Sequence, residues 1–286
     1  MLQDSTIQLL RFRFSVFLLP VYLFALSQVP EINWWHAFLI AIILHLLVYP
    51  SSNGYNSYMD RDESPIGGIE KPMQPTEELK TVSAIMDITA VLAAFFISLP
   101  FAIALLLYIT ASRLYSNRRI RLKKYPLTGY LTVVVFQGAV TFFMVYHGCS
   151  ISKTTAVPYL PMIASSMLIG GFYPLTQIYQ HDSDLRDGVK TLSYLLGYKG
   201  TFLYTGIIYT LAMALMGLYF FQTGNNINTV ILAIAMLPVL VYFFRWATMV
   251  WKDFSKADFK HTMRMNELAS ACTNIGFVSI LIGRLI

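Results

Sequence analysis

Charged side chains are scarce in this chain, in which Asp, Glu, Lys and Arg make up 13% of 286 residues. A soluble domain usually contains about 25% charged residues, so a water-exposed surface of ordinary composition is excluded. Hydrophobic residues make up 56% of the sequence, and the mean hydropathy is +0.56. Apolar runs near the ~20 residues that a helix needs to cross a bilayer recur along the chain. The composition therefore predicts an all-α, polytopic membrane protein.

Cysteine is nearly absent, with Cys149 and Cys272 far apart in the sequence. Two isolated cysteines provide neither a disulfide framework nor a zinc site, and we expect both to be small buried hydrophobic residues. A small-residue cleavage site is also lacking after the first apolar run. We therefore expect that run to remain as a transmembrane helix and not to act as a signal peptide.

Nine apolar segments follow one another, and they predict a bundle of nine transmembrane helices in a single domain, residues 1–286. Their approximate limits are 9–26, 35–49, 82–99, 101–114, 127–146, 159–175, 202–221, 230–244 and 268–286. Pro100 separates the third segment from the fourth, and we expect a tight turn there. Polar connections at one end of the bundle are expected to form a cap.

Positive charge is concentrated near the N-terminus and in every second connection between these segments. All but two of the 21 Lys and Arg residues fall near the N-terminus or in the connections 2–3, 4–5, 6–7 and 8–9, and the exceptions are Lys153 and Arg284. Positively charged loops stay in the cytoplasm. The N-terminus and these four connections are therefore predicted to be cytoplasmic, and this topology suits a bacterial inner membrane.

Two of the cytoplasmic connections contain clustered carboxylates. Asn56 and Asp60 are four residues apart, so they share a helical face, and Asp62 follows. Gln180 and Asp184 repeat this spacing, with Asp182 between them. Such oxygen ligands suit Mg²⁺, which is usually bound by one or two carboxylates together with substrate phosphates. One cluster alone is more typical of a solvated helix end, but the pair predicts a bridging site for a Mg²⁺-bound diphosphate.

The connection between the fourth and fifth segments, RLYSNRRIRLKKYP, is strongly basic. Arg and Lys bind phosphate oxygens, and Arg makes two-pronged contacts with them. The alternative is ordinary positive-inside charge in contact with anionic lipid. The acidic connections on the same side favour a phosphate site, with metal on one side of the diphosphate and cations on the other.

Asp87 lies inside the third apolar segment, in IMDITAV. An ionisable residue within a membrane segment is a functional candidate by default. It is also about two turns from the cytoplasmic end, where a basic partner can reach it. The sequence is equally compatible with a functional site at Asp87 and with a structural role for this residue.

Three motifs resemble those of the UbiA superfamily of intramembrane prenyltransferases, and the resemblance covers nearly the whole chain. NSYMDRDES (residues 56–64, the first motif), followed by Lys71-Pro72, is similar to the family's first Asp-rich motif. QHDSDLRDGVKTL (residues 180–192, the second motif) is similar to the other, and YSNRRIRLKKYP (residues 115–126, the basic motif) to the Tyr-Ser and Leu-Lys pattern between them. The chain departs from the family at Ser57, Ser64 and Gln180, where many members have Asp.

The resemblance implies Mg²⁺-dependent transfer of an isoprenyl group from its diphosphate to a lipophilic acceptor, such as an aromatic or quinone precursor, within the membrane. The implied partners of the protein are the isoprenyl diphosphate donor, the lipophilic acceptor and the lipid bilayer, and no nucleic acid is expected to bind. The implied catalytic residues are Asp60 and Asp184; the metal ligands are Asn56, Asp60, Asp62, Gln180, Asp182 and Asp184; the diphosphate ligands are Arg121, Lys123 and Lys190; and Tyr115 and Ser116 line the pocket.

Two other functions stay open at this point. The missing motif carboxylates favour a catalytically weakened protein that binds an isoprenoid or quinone without transferring it. A membrane terpene cyclase would keep the metal and the diphosphate but use no acceptor. A transporter is disfavoured because the charge is concentrated at one membrane face, whereas transporters need coupling sites near the midplane.

Overall fold

Helices form all the regular structure of residues 2–285, which are the residues that this computed structural model describes. The helices are α1 (Asp4–Gln28), α2 (Trp34–Asp60), α3 (Glu77–Ala94), α4 (Leu99–Ser116), α5 (Pro126–Cys149), α6 (Tyr159–Thr176), α7 (His181–Arg186), α8 (Leu192–Gln222), α9 (Asn226–Lys252) and α10 (Phe259–Leu285). The predicted all-α class is confirmed. Ile286, where the ninth predicted segment ends, lies outside the described residues.

Seven of these helices are long and apolar enough to cross a membrane: α1, α2, α4, α5, α8, α9 and α10. The helices α3 and α6 have 18 residues each, or about 27 Å at 1.5 Å per residue. The first turn of α3 contains Glu77 and Glu78, and α6 contains Pro, Gly and Ser among its apolar residues. The predicted count of nine membrane spans therefore stays a prediction.

A turn separates α3 from α4, at the position where Pro100 predicted one. Ser98 precedes α4, and its side chain accepts a hydrogen bond from the Phe101 N–H at 3.2 Å. Pro100 lies in the first turn of α4, where its missing N–H would have had no partner within the helix. The cap and the proline together fix the start of α4.

The helix α5 widens into a π-helical turn over Val135–Val140. Within it, Gly138 approaches α6 so closely that a Cβ atom would lie 2.4 Å from the Ser166 Cα atom. A larger residue would push the two helices apart. The same turn places Phe136 and Gln137 in the wall of the cavity described below, and such turns are frequent at functional sites.

Lys153 and Arg284, the two cations outside the predicted cytoplasmic set, lie at the same end of the bundle. Arg284 donates hydrogen bonds to the backbone oxygens of Ser27, at 3.0 Å, and of Pro30, at 2.5 Å, beside the connection from α1 to α2. Lys153 follows α5, and the Asn33 N–H joins the two connections by donating to the Cys149 oxygen at 2.8 Å. This arrangement agrees with the charge alternation, while the cytoplasmic orientation stays a prediction.

Asp87 of α3 forms an ion pair with Arg113 of α4, and Ser51 of α2 joins them. The Arg113 Nε donates to Asp87 at 2.9 Å and its Nη2 donates to the Ser51 hydroxyl at 2.6 Å. The Arg113 guanidinium also lies over the Tyr55 ring, 4.2 Å from its centroid. The two charged side chains are only 15% and 20% exposed. Asp87 thus has a structural contact that links three helices.

We predict that Asp87→Ala destabilises the bundle by about 3 kcal/mol, because it leaves the Arg113 guanidinium largely buried without a counterion. The loss should appear as a lower thermal unfolding midpoint of the purified protein in detergent. The double variant Asp87→Leu/Arg113→Met should recover part of it, since no charge is then left unpaired.

Lys80→Ala is the control on the same helix. Lys80 is exposed and lies 3.9 Å from Glu77, and an exposed pair of this kind contributes at most about 1 kcal/mol. Similar losses of stability in Asp87→Ala and Lys80→Ala would contradict the structural role of Asp87.

Candidate active site

A polar cavity of about 210 Å³ lies at the end of the bundle opposite to Lys153 and Arg284. Residues from the first, second and basic motifs line it together. Its polar lining includes Asn53, Asn56, Asp60, Asp62, Tyr115, Ser116, Lys123, Gln177, Gln180 and Asp184. The three motifs, distant in sequence, therefore share one cavity.

Asp60 is the last residue of α2 and is 8% exposed. The helix ends there because Arg61 adopts a left-handed conformation with φ 54°. The Asp60 Oδ2 accepts hydrogen bonds from the Lys123 Nζ at 2.5 Å and from the Asn56 Nδ2 at 2.8 Å. Its Oδ1 is buried and has no hydrogen-bond partner among residues 2–285. Asp60 thus accepts hydrogen bonds at one oxygen and has no hydrogen bond at the other.

The basic motif joins the two acidic motifs through Asp187. Arg121, in a left-handed turn with φ 51°, forms an ion pair with Asp187 and lies 3.7 Å from the Asp60 Oδ1. Arg118 lies 3.2 Å from Asp187 and donates to the Asp60 backbone oxygen at 2.9 Å. These contacts bring the ends of α2, α4 and α7 to the same place.

Asp184 and Asp62 are partly buried carboxylates in the polar cavity lining. Burial raises the pKa of Asp184 to about 7; the Lys123 charge opposes this shift, and the charges of Asp62 and Asp60 add to it. Burial also raises the pKa of Asp62 to about 6, and the Asp60 charge adds to that shift. A carboxylate whose charge raises the pKa of a neighbouring carboxyl group is close enough to repel it, so a cation bound among these groups would be favoured.

Arg11 is a cavity residue that the sequence analysis did not identify. It interrupts α1 with φ 50°, and its Nη atoms donate to the backbone oxygens of Asn53, at 3.2 Å, and Gly67, at 3.4 Å. Its buried Nε has no hydrogen-bond partner among the residues described. No sequence signal separated it from the ordinary cations that flank a membrane helix. A buried guanidinium at the cavity wall is suited to an anionic ligand.

The two predicted pocket residues, Tyr115 and Ser116, both line the cavity. The Tyr115 hydroxyl forms a hydrogen bond with that of Tyr173 on α6. Ser116 accepts a hydrogen bond from the Asn56 Nδ2 at 3.0 Å. Gln177 donates to Tyr173 at 3.0 Å and keeps a buried oxygen, Oε1, without a partner in the described part of the chain. These hydrogen bonds hold the polar side chains of this part of the cavity wall in place.

Three predicted site residues lie away from the cavity lining. Asp182 and Lys190 are exposed, and neither belongs to the lining. Arg121 also lies outside the lining, engaged with Asp187 and near Asp60. The structure therefore brings together Asn56, Asp60, Asp62, Lys123, Gln180 and Asp184, and it separates Asp182 and Lys190 from them.

An apolar cavity of about 180 Å³ adjoins the polar one, toward the centre of the bundle. The two share lining residues, among them Phe14, Gln137 and Tyr173. The other lining residues of the second cavity are mostly hydrophobic, including Leu18, Val21, Leu168, Ile169, Phe172 and Tyr209. A ligand with a charged head and a hydrocarbon tail would therefore meet matching surfaces along its length.

The oxygen donors of the polar cavity fit a magnesium ion that arrives with a diphosphate. Within residues 2–285, no three His, Cys, Asp or Glu side chains form a ready metal cluster. Mg²⁺ needs only one or two protein carboxylates when substrate phosphates and water complete its shell. Suitable donors are Asp60 Oδ1 and Gln177 Oε1, which accept no hydrogen bond within the described residues, and the carboxylates of Asp62 and Asp184.

Solved structures share this fold over nearly their whole length. They include a UbiA homologue from Archaeoglobus fulgidus bound to DMAPP and Mg²⁺, with 18% identity, a TM-score of 0.72 and coverage of 97% of this chain and 99% of that one. The ligand-free UbiA homologue from Aeropyrum pernix K1 has 20% identity, a TM-score of 0.70 and coverage of 96% and 99%. A structure of digeranylgeranylglyceryl phosphate synthase has 17% identity, a TM-score of 0.60 and coverage of 98% and 97%.

At these identities the structural likeness establishes the fold alone, and a comparison with curated proteins finds no match. The sequence profile of the UbiA prenyltransferase family matches residues 16–268. That range contains all three motifs and most of the helices long enough to cross a membrane. The chain is therefore an integral, multi-pass membrane protein that belongs to the UbiA prenyltransferase family.

Proposed function

We propose that this protein transfers an isoprenyl group from its diphosphate to a lipophilic acceptor within the membrane, with Mg²⁺ as cofactor. The observation that supports this most is the polar cavity, lined by Asp60, Asp184 and Lys123, that adjoins an apolar cavity. The first matches a metal-bound diphosphate and the second matches an isoprenyl chain. Structures of the A. fulgidus homologue with Mg²⁺ and either DMAPP or GPP support this class of donor.

Lys123 has two successive partners in this proposal. Without substrate, its ammonium group neutralises the Asp60 carboxylate at 2.5 Å. A diphosphate carries more negative charge than one carboxylate and therefore competes for Lys123. Transfer of Lys123 to the diphosphate removes one charged contact from Asp60 and makes its carboxylate available to the metal, while Arg11 offers a second cation from the cavity lining.

The proposed metal ligands are Asn56, Asp60, Asp62, Gln180 and Asp184. When bound there with the diphosphate, Mg²⁺ would neutralise the charge that develops on the leaving group. Lys123 and Arg11 stabilise the same charge by direct contact with phosphate oxygens. The allylic C–O bond then breaks, the diphosphate leaves with the electron pair, and a nucleophilic atom of the acceptor bonds to the carbon and loses its proton.

We also propose that α3 and α6 cross the membrane, which gives nine spans, and that the site faces the cytoplasm of a bacterial cell. The charge distribution supports this orientation, because the motif cations and the N-terminal cations lie at one end. Cytoplasmic diphosphates would then reach the polar cavity directly, and an acceptor dissolved in the bilayer would reach the apolar one.

The reaction can be tested with purified protein in detergent, geranyl diphosphate, Mg²⁺ and a lipid extract. We expect release of diphosphate together with a prenylated lipid, and we expect EDTA to abolish both. Isoprenoid binding without release would instead support a non-catalytic binder. Release accompanied by a cyclised hydrocarbon, with no adduct, would support a terpene cyclase. Either of these results would contradict the proposed transfer.

We predict that Asp60→Asn and Asp184→Asn each lower the rate of diphosphate release about 100-fold, the size of effect seen when one group that stabilises the transition state is removed. Asn keeps the shape but loses the charge that would hold the metal. Asp253→Asn is the control, because Asp253 is exposed between α9 and α10 and outside the cavity lining. Normal rates in both motif variants would refute the assignment.

A second prediction separates Lys123 from its neighbour. Lys123→Met should raise the KM for geranyl diphosphate about tenfold or more, because one charge-assisted phosphate contact is worth about 1.5–3 kcal/mol. Lys124→Met should change it less than about threefold, since the Lys124 side chain lies over the Tyr125 ring at 4.9 Å and outside the cavity lining. Equal effects of the two substitutions would show that the charge of the connection, and not a specific contact, binds the donor.

A further inference from the structure

A groove of about 720 Å³ lies between the end of α9 and the start of α10. On α9, Arg245 and Met249 are four residues apart, and on α10, Lys260, Arg264 and Glu267 follow a spacing of four and three. These spacings place each set on one helical face, so the two faces form the walls. The volume is within the range of about 300–1,000 Å³ that is usual for small-molecule sites.

The floor of the groove is aromatic and fixed by hydrogen bonds. Trp246 is 1% exposed, and its Nε1 donates to the Lys256 backbone oxygen at 2.8 Å. The His261 ring stacks on Trp246, with 6.3 Å between the ring centroids. Tyr242 donates to the His261 backbone oxygen at 3.4 Å. The floor is therefore held in place independently of any ligand.

Three cations border this floor. Arg245, Lys260 and Arg264 are exposed, and none of them forms an ion pair within residues 2–285. Two carboxylates, Glu70 and Glu267, line the same groove, so the cations outnumber them. Two guanidinium groups and an ammonium group in one concave surface suit a phosphate, which Arg binds through paired hydrogen bonds.

The groove lies where the lipid-facing surface of α9 ends. Val241 and Phe244 are 69% and 63% exposed, four residues and one residue before Arg245. Trp251 and Phe254 are exposed beyond it, and aromatic residues of this kind mark the membrane–water interface. The three cations are therefore at the depth where lipid headgroups lie, beside an apolar surface that suits acyl chains.

We propose that this groove binds the headgroup phosphate of an anionic phospholipid, whose acyl chains lie along the exposed apolar face of α9. The site is separate from the candidate active site, although Met263 lines both cavities. Met263 also accepts a hydrogen bond from the Gly68 N–H at 3.3 Å, in the connection that contains Asp62. The lipid would therefore bind beside this connection, and its binding does not depend on the transferase reaction.

The test uses the delipidated full-length protein and native mass spectrometry with added phosphatidylglycerol or phosphatidylcholine. We expect the anionic lipid to bind about tenfold more tightly than the zwitterionic one, because basic residues near a membrane surface attract anionic lipid. In Arg245→Gln/Arg264→Gln this preference should fall below about twofold. In Lys260→Gln the preference should fall by a smaller factor.

Arg13→Gln/Lys252→Gln is the matched control. Both residues are exposed cations at the same end of the bundle, outside both cavity linings. This variant should keep the preference, and the thermal unfolding midpoints of all variants verify that they fold. No preference in the unmodified protein, or equal losses in the two double variants, would overturn the proposal.

A further arm distinguishes a lipid from a soluble phosphate. Inorganic phosphate at millimolar concentration should leave phosphatidylglycerol bound, because the acyl chains add apolar contact that a free ion lacks. Displacement by inorganic phosphate would assign the groove to a soluble phosphate compound and overturn the lipid assignment.

Discussion

Charge compensation of the buried Asp60 carboxylate is the constraint on which the rest of the candidate site depends. Taking a carboxylate out of water costs several kcal/mol unless cations and hydrogen bonds replace the water. Lys123, Asn56 and the more distant Arg121 replace it; Asn56 comes from α2, and the two cations come from the basic motif. Compensation of the Asp60 charge therefore holds these elements together. It also produces a cavity in which positive and negative groups lie within reach of one ligand.

Hydropathy predicted the helices but not their ends, for a physical reason. The second apolar segment was expected at residues 35–49, whereas α2 continues to Asp60. The seventh was expected from residue 202, whereas α8 begins at Leu192 and has a non-helical break at Gly197, with φ 65°. Hydropathy reports contact with lipid, while a helix is defined by its backbone hydrogen bonds, which continue into polar surroundings. The extension of α2 contains Asn56 and Asp60 of the first motif, so part of the site lies in the helical turns just beyond an apolar segment.

The sequence predicted site residues that share a helical face through their spacing. It did not predict contacts between residues on different helices. Asn56 with Asp60 and Gln180 with Asp184 share helical faces by their spacing, and all four line the cavity. Arg11 enters the cavity because of a left-handed break in α1, and the partner of Asp87 is a residue 26 positions away. Neither contact has a periodic signature, because each results from the packing of different helices. Asp182 and Asp184 are two residues apart on the short helix α7. The orientation of this helix leaves Asp182 exposed and places Asp184 in the cavity lining.

The departures from the family motifs have a consistent electrostatic consequence. Gln180 lines the cavity, so an Asp at this position would add negative charge beside carboxylates whose pKa is already raised. Burial and the charges of neighbouring carboxylates raise the pKa of Asp62 to about 6 and that of Asp184 to about 7. Further carboxylates would have to be protonated or compensated by more cations. The cavity lining therefore has an uncharged amide at Gln180 where many members of the family have a carboxylate, together with the two cations Lys123 and Arg11.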